Sequence, residues 1–418
     1  SSMQLNVMNK YTKFDSHLQD VSRILSIDNN RKTEHVNSFN EVFRAIKELI
    51  QDSDPLFLKY KGVKFSGSYA NDIKIVAPDE FDMMLCIKLP NELELEILNS
   101  GYPAHVQLKV RNFEAFKKTP QWRTYKSLGL WMDNQHFILQ NKFRQWFEGN
   151  VIKIINRQTK STTGIPTLTF GDNSSYKLFL KKSKPAFTLN VTKLSDEGIH
   201  FDVDIVPCFL FEFPTWPSIV KIKYALKSEI KEWFVIAKPV EIDNSFKRHR
   251  SWRIVFPGQE QRLLSRKDNM KIVLKLLKRF RDIHKLPYIK SYFINTVFMW
   301  EIKTRNQDYW LNNTGFLFVD MLRKLHERIK SGEIPYFWDN RLNLLEKVTK
   351  NQMKDADIKI KNCLKVGRIR STAQRGDRLY YLIFPQVKIY RFMCLSNHNG
   401  AKEVFTSINK QTIGGAHI

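Results

Sequence analysis

Apolar residues recur every three or four positions from Val36 through Phe39, Phe43 and Ile46 to Ile50, a period that predicts an amphipathic helix over 34–50. The period then shortens. Val63-Lys64-Phe65 predicts a short strand that runs into the turn Ser66-Gly67-Ser68, and Glu80 to Leu89 predict a second strand. Polar and apolar positions alternate only at the start of this second strand. The apolar run that follows predicts burial on both faces. Residues 186–192 and 200–206 predict two further strands, separated by the turn from Ser195 to Gly198. The helical period returns at 268–284, where Ile272, Leu276, Phe280 and Ile283 form one stripe flanked by Val273 and Leu277, and again at 315–330. Between these regions stands Phe213-Pro214-Thr215-Trp216-Pro217, whose two prolines mark an expected lobe boundary. The pattern predicts a mixed α/β lobe with an N-terminal helix over 1–215 and a mainly helical lobe over 216–365. Residues 366–418 follow as an extension without an assigned role.

Composition narrows the partners. The 418 residues hold 68 Lys and Arg against 42 Asp and Glu, a formal charge of +26, and a chain this basic is expected to meet nucleic acid or an acidic membrane surface. Hydrophobic residues at 42% are enough for a packed core and exclude wholesale disorder. No apolar run approaches the roughly 18 residues needed to span a bilayer, and no signal peptide is read at the start. A cytoplasmic or nuclear protein is expected. Cys86, Cys208, Cys363 and Cys394 are scattered without a CxxC pair, which encodes neither a zinc ribbon nor a disulfide framework. Cys394 and His398 could share a metal on a helix, but structural zinc usually needs four ligands.

Three segments carry candidate chemistry together: Gly67-Ser68, Glu80-Phe81-Asp82 and Phe201-Asp202-Val203-Asp204-Ile205-Val206-Pro207. Positions i and i+2 of a strand share a face, so Glu80 and Asp82 project together. A third carboxylate from a neighbouring strand, Asp202 or Asp204, would complete a cage for two hard divalent cations such as Mg²⁺. Two such ions can activate an attacking hydroxyl and stabilise a leaving pyrophosphate. Glycine lets a backbone approach phosphate, and serine donates hydrogen bonds to it. Singly each signal is weak, since Gly-Ser is a common turn and Glu-x-Asp is often a solvated strand edge. Acids set in otherwise apolar strands are costly unless they serve a purpose, and their order favours a nucleotidyltransferase site.

At these residues the chain resembles cyclic GMP–AMP synthase and its receptor-like relatives. Gly67-Ser68, the run from Lys74 to Met84 and the Asp204 strand match that family's signature. Trp252-Arg253-Ile254-Val255-Phe256, Lys290-Ser291-Tyr292, Ile334-Pro335-Tyr336-Phe337 and Asn343-Leu344-Leu345 follow in the right order. The similarity covers roughly 34–350. It implies a nucleotidyltransferase α/β core and a helical lobe with the active site between them. It also implies that Glu80, Asp82 and Asp204 hold two Mg²⁺ or Mn²⁺ ions, that Gly67 and Ser68 grip triphosphate, and that Ser291 lies near the phosphates while Tyr292 stacks on a base. Lys238, Arg253 and Glu260 fall where the family reads bases or contacts the second nucleotide, and Lys271 or Lys275 falls where it binds phosphate. The plain alternatives are a surface lysine, a structural arginine beside Trp252 and a solvated glutamate.

Two departures qualify the transfer. Vertebrate members carry a zinc module of one His and three Cys after the Trp-Arg strand, whereas Gln259 to Asp268 holds neither residue type, so no zinc is expected. Val255 and Pro257 also replace small hydroxyl residues, which leaves base preference and linkage open. From Arg262 to Lys285 nine basic residues (Arg262, Arg266, Lys267, Lys271, Lys275, Lys278, Arg279, Arg281 and Lys285) face only Asp268 and Asp282. A basic helix face of this kind makes salt-dependent phosphate contacts, and the alternative is a merely solubilising surface. With the zinc module missing, double-stranded RNA ranks above DNA, as in insect members of the family. Residues 347–378 form a second basic stretch. The resemblance thus implies ATP and GTP as substrates, an RNA duplex as activator, a cyclic dinucleotide read by a STING-type receptor, and dimerisation on the ligand. The alternatives are a linear oligonucleotide synthase and a catalytically silent nucleic-acid-binding scaffold.

Overall fold

The computed structural model describes residues 15–16, 18–19, 29–56, 60–66, 80–161, 164–171, 174–182, 186–196, 198–220, 230–241, 245–265 and 268–366. Helix α1 (Asn29–Ser53) contains the predicted 34–50 segment. Strands β1 (Tyr60–Ser66) and β2 (Glu80–Ile87) follow as an antiparallel pair. Next come β3 (Leu95–Asn99), β4 (His105–Val110) and helix α2 (Gln140–Asn156). The sheet continues through β5 (Thr159–Lys160), β6 (Pro166–Thr169), β7 (Ser175–Lys182), β8 (Phe187–Lys193) and β9 (His200–Glu212). One mixed eleven-stranded sheet has the order β3-β4-β11-β10-β9-β8-β7-β6-β5, with β10 spanning Glu232–Ile236 and β11 spanning Ser251–Val255, and with β2 joined to β9.

Strand β9 organises the sheet. Its first half pairs with β8 up to Ile205 and its second half with β10 from Cys208, while β2 runs parallel along its other edge from Asp202 to Phe209. Pro207, which has no N–H to donate, sits at the hand-over between β8 and β10. One face of the β2–β9 pair is packed by α1: the Phe39 ring stacks on Phe81 at 3.9 Å and meets Phe201 edge-on at 6.2 Å. Helix α2 extends the same layer, Phe143 lying 4.6 Å from Phe209 and Phe147 5.1 Å from Phe187. Each fully buried ring of this kind contributes about 1.5–3 kcal/mol.

After β11 the chain forms helices α3 (Pro257–Leu264), α4 (Asp268–Ile283), α5 (Ser291–Thr304), α6 (Thr314–Ser331) and α7 (Lys350–Val366). Asn313 caps α6, its side-chain oxygen accepting from the Phe316 N–H at 2.8 Å, and Gly332 ends it at φ 71°, a conformation that glycine adopts without penalty. The expected lobe boundary at 213–217 is not where the sheet ends. After the two prolines the chain re-enters the sheet and supplies β10 and β11, because the prolines occupy a turn and leave the next apolar run, Trp233 to Val235, free to pair with β9.

Candidate active site

The parallel register of β2 and β9 places Glu80 opposite Asp202 and Asp82 opposite Asp204. Phe81, Met83 and Leu85 turn into the α1 core, so Asp82 and Asp204 share the opposite face, and both are only partly buried. On β8, Thr188 stands across from Asp204 and Asn190 across from Asp202. The Thr188 hydroxyl donates to Asp204 Oδ1 at 2.5 Å, and the Asn190 amide donates to Asp202 Oδ1. The two β9 acids are therefore each held by a partner on β8. Further along the same face Met84, Cys86, Cys208, Leu210 and Phe234 form a small apolar cluster. The side chain of Glu80, and the Gly67-Ser68 turn with Arg266 and Lys267, lie outside the described residues.

Helix α4 supplies a cation close enough to Asp82 to feel its charge. Lys278 was expected on a solvated, nucleic-acid-binding face, but it is 5% exposed and its Nζ has no hydrogen-bond partner. Burial, followed by the nearby Arg281, pushes its pKa down to about 7, against the opposing pull of Asp282 and Asp82. Arg281 also departs from expectation. Its guanidinium donates to Asp282 Oδ1 at 2.7 Å and to the Ser291 hydroxyl at 2.5 Å. Arg279 is partly buried, and loss of hydration lowers its pKa. The reason is geometric. Met270 and Leu274 stand eight and four residues before Lys278, on the helical line that α4 turns inward, and both are buried. Lys271, Lys275 and Arg262 are each only partly exposed.

A second cluster joins the remaining candidates. Glu260 on α3 accepts from the Tyr292 hydroxyl at 2.7 Å and from Trp338 Nε1 at 2.8 Å, both on its Oε1. Burial pushes this carboxyl up to about 7, although both hydrogen bonds and Arg253 act in the other direction. Burial and then Glu260 raise the Tyr292 phenol well above its ordinary value. Arg253 lies 4.2 Å over the Tyr336 ring, and Tyr336 donates to the Ile254 carbonyl at 2.8 Å. Lys238 keeps an exposed side chain, and lost hydration, followed by the charges of Arg253, Lys290 and Lys347, lowers its pKa to about 8. Arg253, Glu260 and Tyr292 are thus brought together, Glu260 bonded by Tyr292 and Trp338 and Arg253 lying over Tyr336. Arg281, bonded to Ser291 beside Tyr292, links this cluster to Lys278 and the acids.

Thr188 and Trp338 were not singled out from the sequence, and Lys278 was singled out only for a nucleic-acid-binding face. Alternation along 186–192 would have placed Thr188 on the acid face, and Lys278 carried a signal in Met270 and Leu274. Trp338 had none. Asp82 and Asp204 offer hard oxygen donors in register, the type of set that suits a divalent ion, and nucleotidyltransferase domains generally use such metals. Among the described residues no group of three acids, histidines or cysteines stands close enough to hold a metal, and Glu80 would have to contribute the third oxygen.

A mixed sheet with paired acids on adjacent parallel strands, closed by a helical lobe, defines a nucleotidyltransferase. The Mab-21 protein nucleotidyltransferase domain matches residues 69–266, and the Mab-21 protein HhH/H2TH-like domain matches 269–362. A cyclic GMP-AMP synthase-like receptor of Aethina tumida is 30% identical over 83% of this chain and 86% of its own. One of Trichogramma pretiosum is 32% identical over 81% and 69%, and a cyclic GMP-AMP synthase-like protein of Drosophila melanogaster is 27% identical over 81% and 89%. The chain belongs to the cyclic GMP-AMP synthase-like receptor family.

Proposed function

We propose that this nucleotidyltransferase joins ATP and GTP into cyclic GMP–AMP and that double-stranded RNA switches it on. The observation that carries the reading is the in-register placement of Asp82 and Asp204 on one face of β2 and β9, with Glu80 at the head of β2. A hydroxyl oxygen of one nucleotide attacks the α-phosphorus of the other. The bond to the β-phosphate breaks, pyrophosphate leaves, and a second such step closes the ring. Two Mg²⁺ or Mn²⁺ ions held by Glu80, Asp82 and Asp204 would supply the charge that activates the hydroxyl and steadies the pyrophosphate. Thr188 fixes Asp204 for that task, and the orphan ammonium of Lys278 is left with donors for phosphate oxygens. Glu260, Tyr292 and Arg253 are the residues that would read bases, with Trp338 holding the carboxyl in place. The +26 charge supports a polyanionic activator and the missing zinc ligands favour RNA over DNA, while the names borne by the insect relatives support a cyclic GMP-AMP synthase-like receptor. In this reading the enzyme works in the cytoplasm, dimerises on the duplex and makes a product for a STING-type receptor.

The test is one incubation of the purified chain with ATP, GTP and Mg²⁺ or Mn²⁺, with an RNA duplex, a DNA duplex of equal length, or neither, read by mass spectrometry. Cyclic GMP–AMP formed with RNA and not with DNA is the expected result. Linear products alone would select the oligonucleotide synthase. Activation by DNA only would remove RNA from the reading.

A further inference from the structure

Helix α7 carries a charge arrangement that the catalytic site does not use. Its inner face is closed: Ala356, Ile360 and Cys363 are buried, and Gly332 at the end of α6 lies against Met353. The two acids of the helix lie outside that face and are both partly exposed, and each has a partner. Asp355 accepts from Tyr288 and from Lys359 at 2.8 Å, and Asp357 meets His326 at 2.7 Å. Lys350, Lys354, Lys361 and Lys365 are all exposed, and none is in an ion pair. Successive residues of an α-helix turn by about 100°, so positions 0, 4, 11 and 15 fall within an arc of about 60°. Four ammonium groups outside any ion pair therefore form one line, about 22 Å long at 1.5 Å per residue, with Asp357 at its edge (about −20°) and engaged by His326.

We propose that this lysine line of α7 is a docking surface for the phosphate backbone of an RNA duplex. The proposal rests on the RNA-activated reading above for the identity of the polyanion, and on the structure for the place. A row of four cations complements a regular row of phosphates, and the single acid at its edge, Asp357, is engaged by His326 on the neighbouring helix. The basic residues first expected to do this, on α4, are partly or wholly buried, and Arg281 is bonded inward. Lysines on a rigid helix reach phosphates without reading bases, which fits recognition of a duplex by shape and backbone. Each phosphate neutralised releases counterions and steepens the salt dependence by about 0.9 in the logarithmic slope.

The experiment uses the full chain with Lys350→Gln, Lys354→Gln, Lys361→Gln and Lys365→Gln combined, and follows binding of a labelled 30-base-pair RNA duplex by fluorescence anisotropy between about 50 and 200 mM NaCl. The expected result is affinity at least about 30-fold weaker near 0.1 M salt, with a logarithmic salt slope shallower by about 3 to 4. The melting temperature should stay unchanged, because the four side chains are exposed and in no ion pair. Should the quadruple variant fold poorly, Lys361→Gln with Lys365→Gln should lose about half of that slope. Unchanged affinity and slope overturn the proposal. So does a variant that binds RNA normally but loses binding to phosphatidylserine vesicles, which would assign the line to membrane. If the variant loses RNA affinity while RNA stimulates neither chain, the surface stands and the RNA-activated reading falls.

Discussion

The two faces of the β2–β9 pair share one backbone and differ in almost everything else. Phe81 and Phe201 lie beneath Phe39 and are sealed in the core, whereas Asp82 and Asp204, one and three residues further along the same strands, face the helical lobe and stay partly open. One face is held by contact alone, so any loss of volume there is felt as stability. The other holds charged groups whose partners are specific: Thr188 for Asp204, and across the cleft an ammonium that is buried without a bond. Stability and chemistry are thus separated by the period-2 alternation of a strand.

Neighbouring substitutions should break the comparison if it is wrong. Phe81→Ala should destabilise the fold by about 3–5 kcal/mol, through lost burial and the cavity left against Phe39 and Phe201. Asp82→Asn, one residue on, should shift chemical denaturation little. Equal losses in urea titrations would show that the acid face is structural as well.

Next in size is the ammonium above the acids. Lys278→Met keeps the volume and removes a buried unpaired charge, so it should stabilise the chain by roughly 2–4 kcal/mol at neutral pH and below. The sign follows from linkage. Folded Lys278 releases its proton near 7, while an unfolded lysine holds it to about 10.5, so the unfolded state binds more protons between those values. Stability of the unaltered chain should therefore rise from pH 7 towards 10.5, and the full penalty should be present below 7. The advantage of the methionine variant should shrink over the same interval. A constant gap in melting temperature between pH 7 and 9 would contradict the buried cation.

The smallest effect belongs to Glu260. Folded, it holds a proton up to about 7; unfolded, it releases it near 4.5. Between these values the folded state binds more protons, so stability falls as pH rises across the interval. Glu260→Gln should flatten that slope while keeping the Tyr292 and Trp338 contacts. A slope identical to that of the unaltered chain would mean the carboxyl ionises normally.

Legibility followed the same division. The α1 stripe and the β9 alternation could be read because burial on one face leaves a period in the residue types. Helix α2 carried the same signal in Phe143, Phe147, Val151 and Ile154 and went unread. Asp82 and Asp204 were legible as types, and only the parallel register showed that they stand opposite each other. Lysines were the least legible, since residue type does not state where a helix turns its side. Lys278 went inward behind Met270 and Leu274, and the exposed line belongs to α7. Contacts such as Trp338 to Glu260 join residues 78 apart in the chain, and no local pattern encodes them.

The central claim is that the acid face carries nucleotidyl transfer. Its most direct test is pyrophosphate release and product mass for Asp82→Asn combined with Asp204→Asn, alongside the unaltered chain, with ATP, GTP, Mn²⁺ and RNA duplex. The amides keep size and lose the charge that holds a cation, so turnover should fall at least about a thousandfold while the melting temperature and RNA affinity remain. A folded double variant that joins nucleotides at the normal rate would contradict the account.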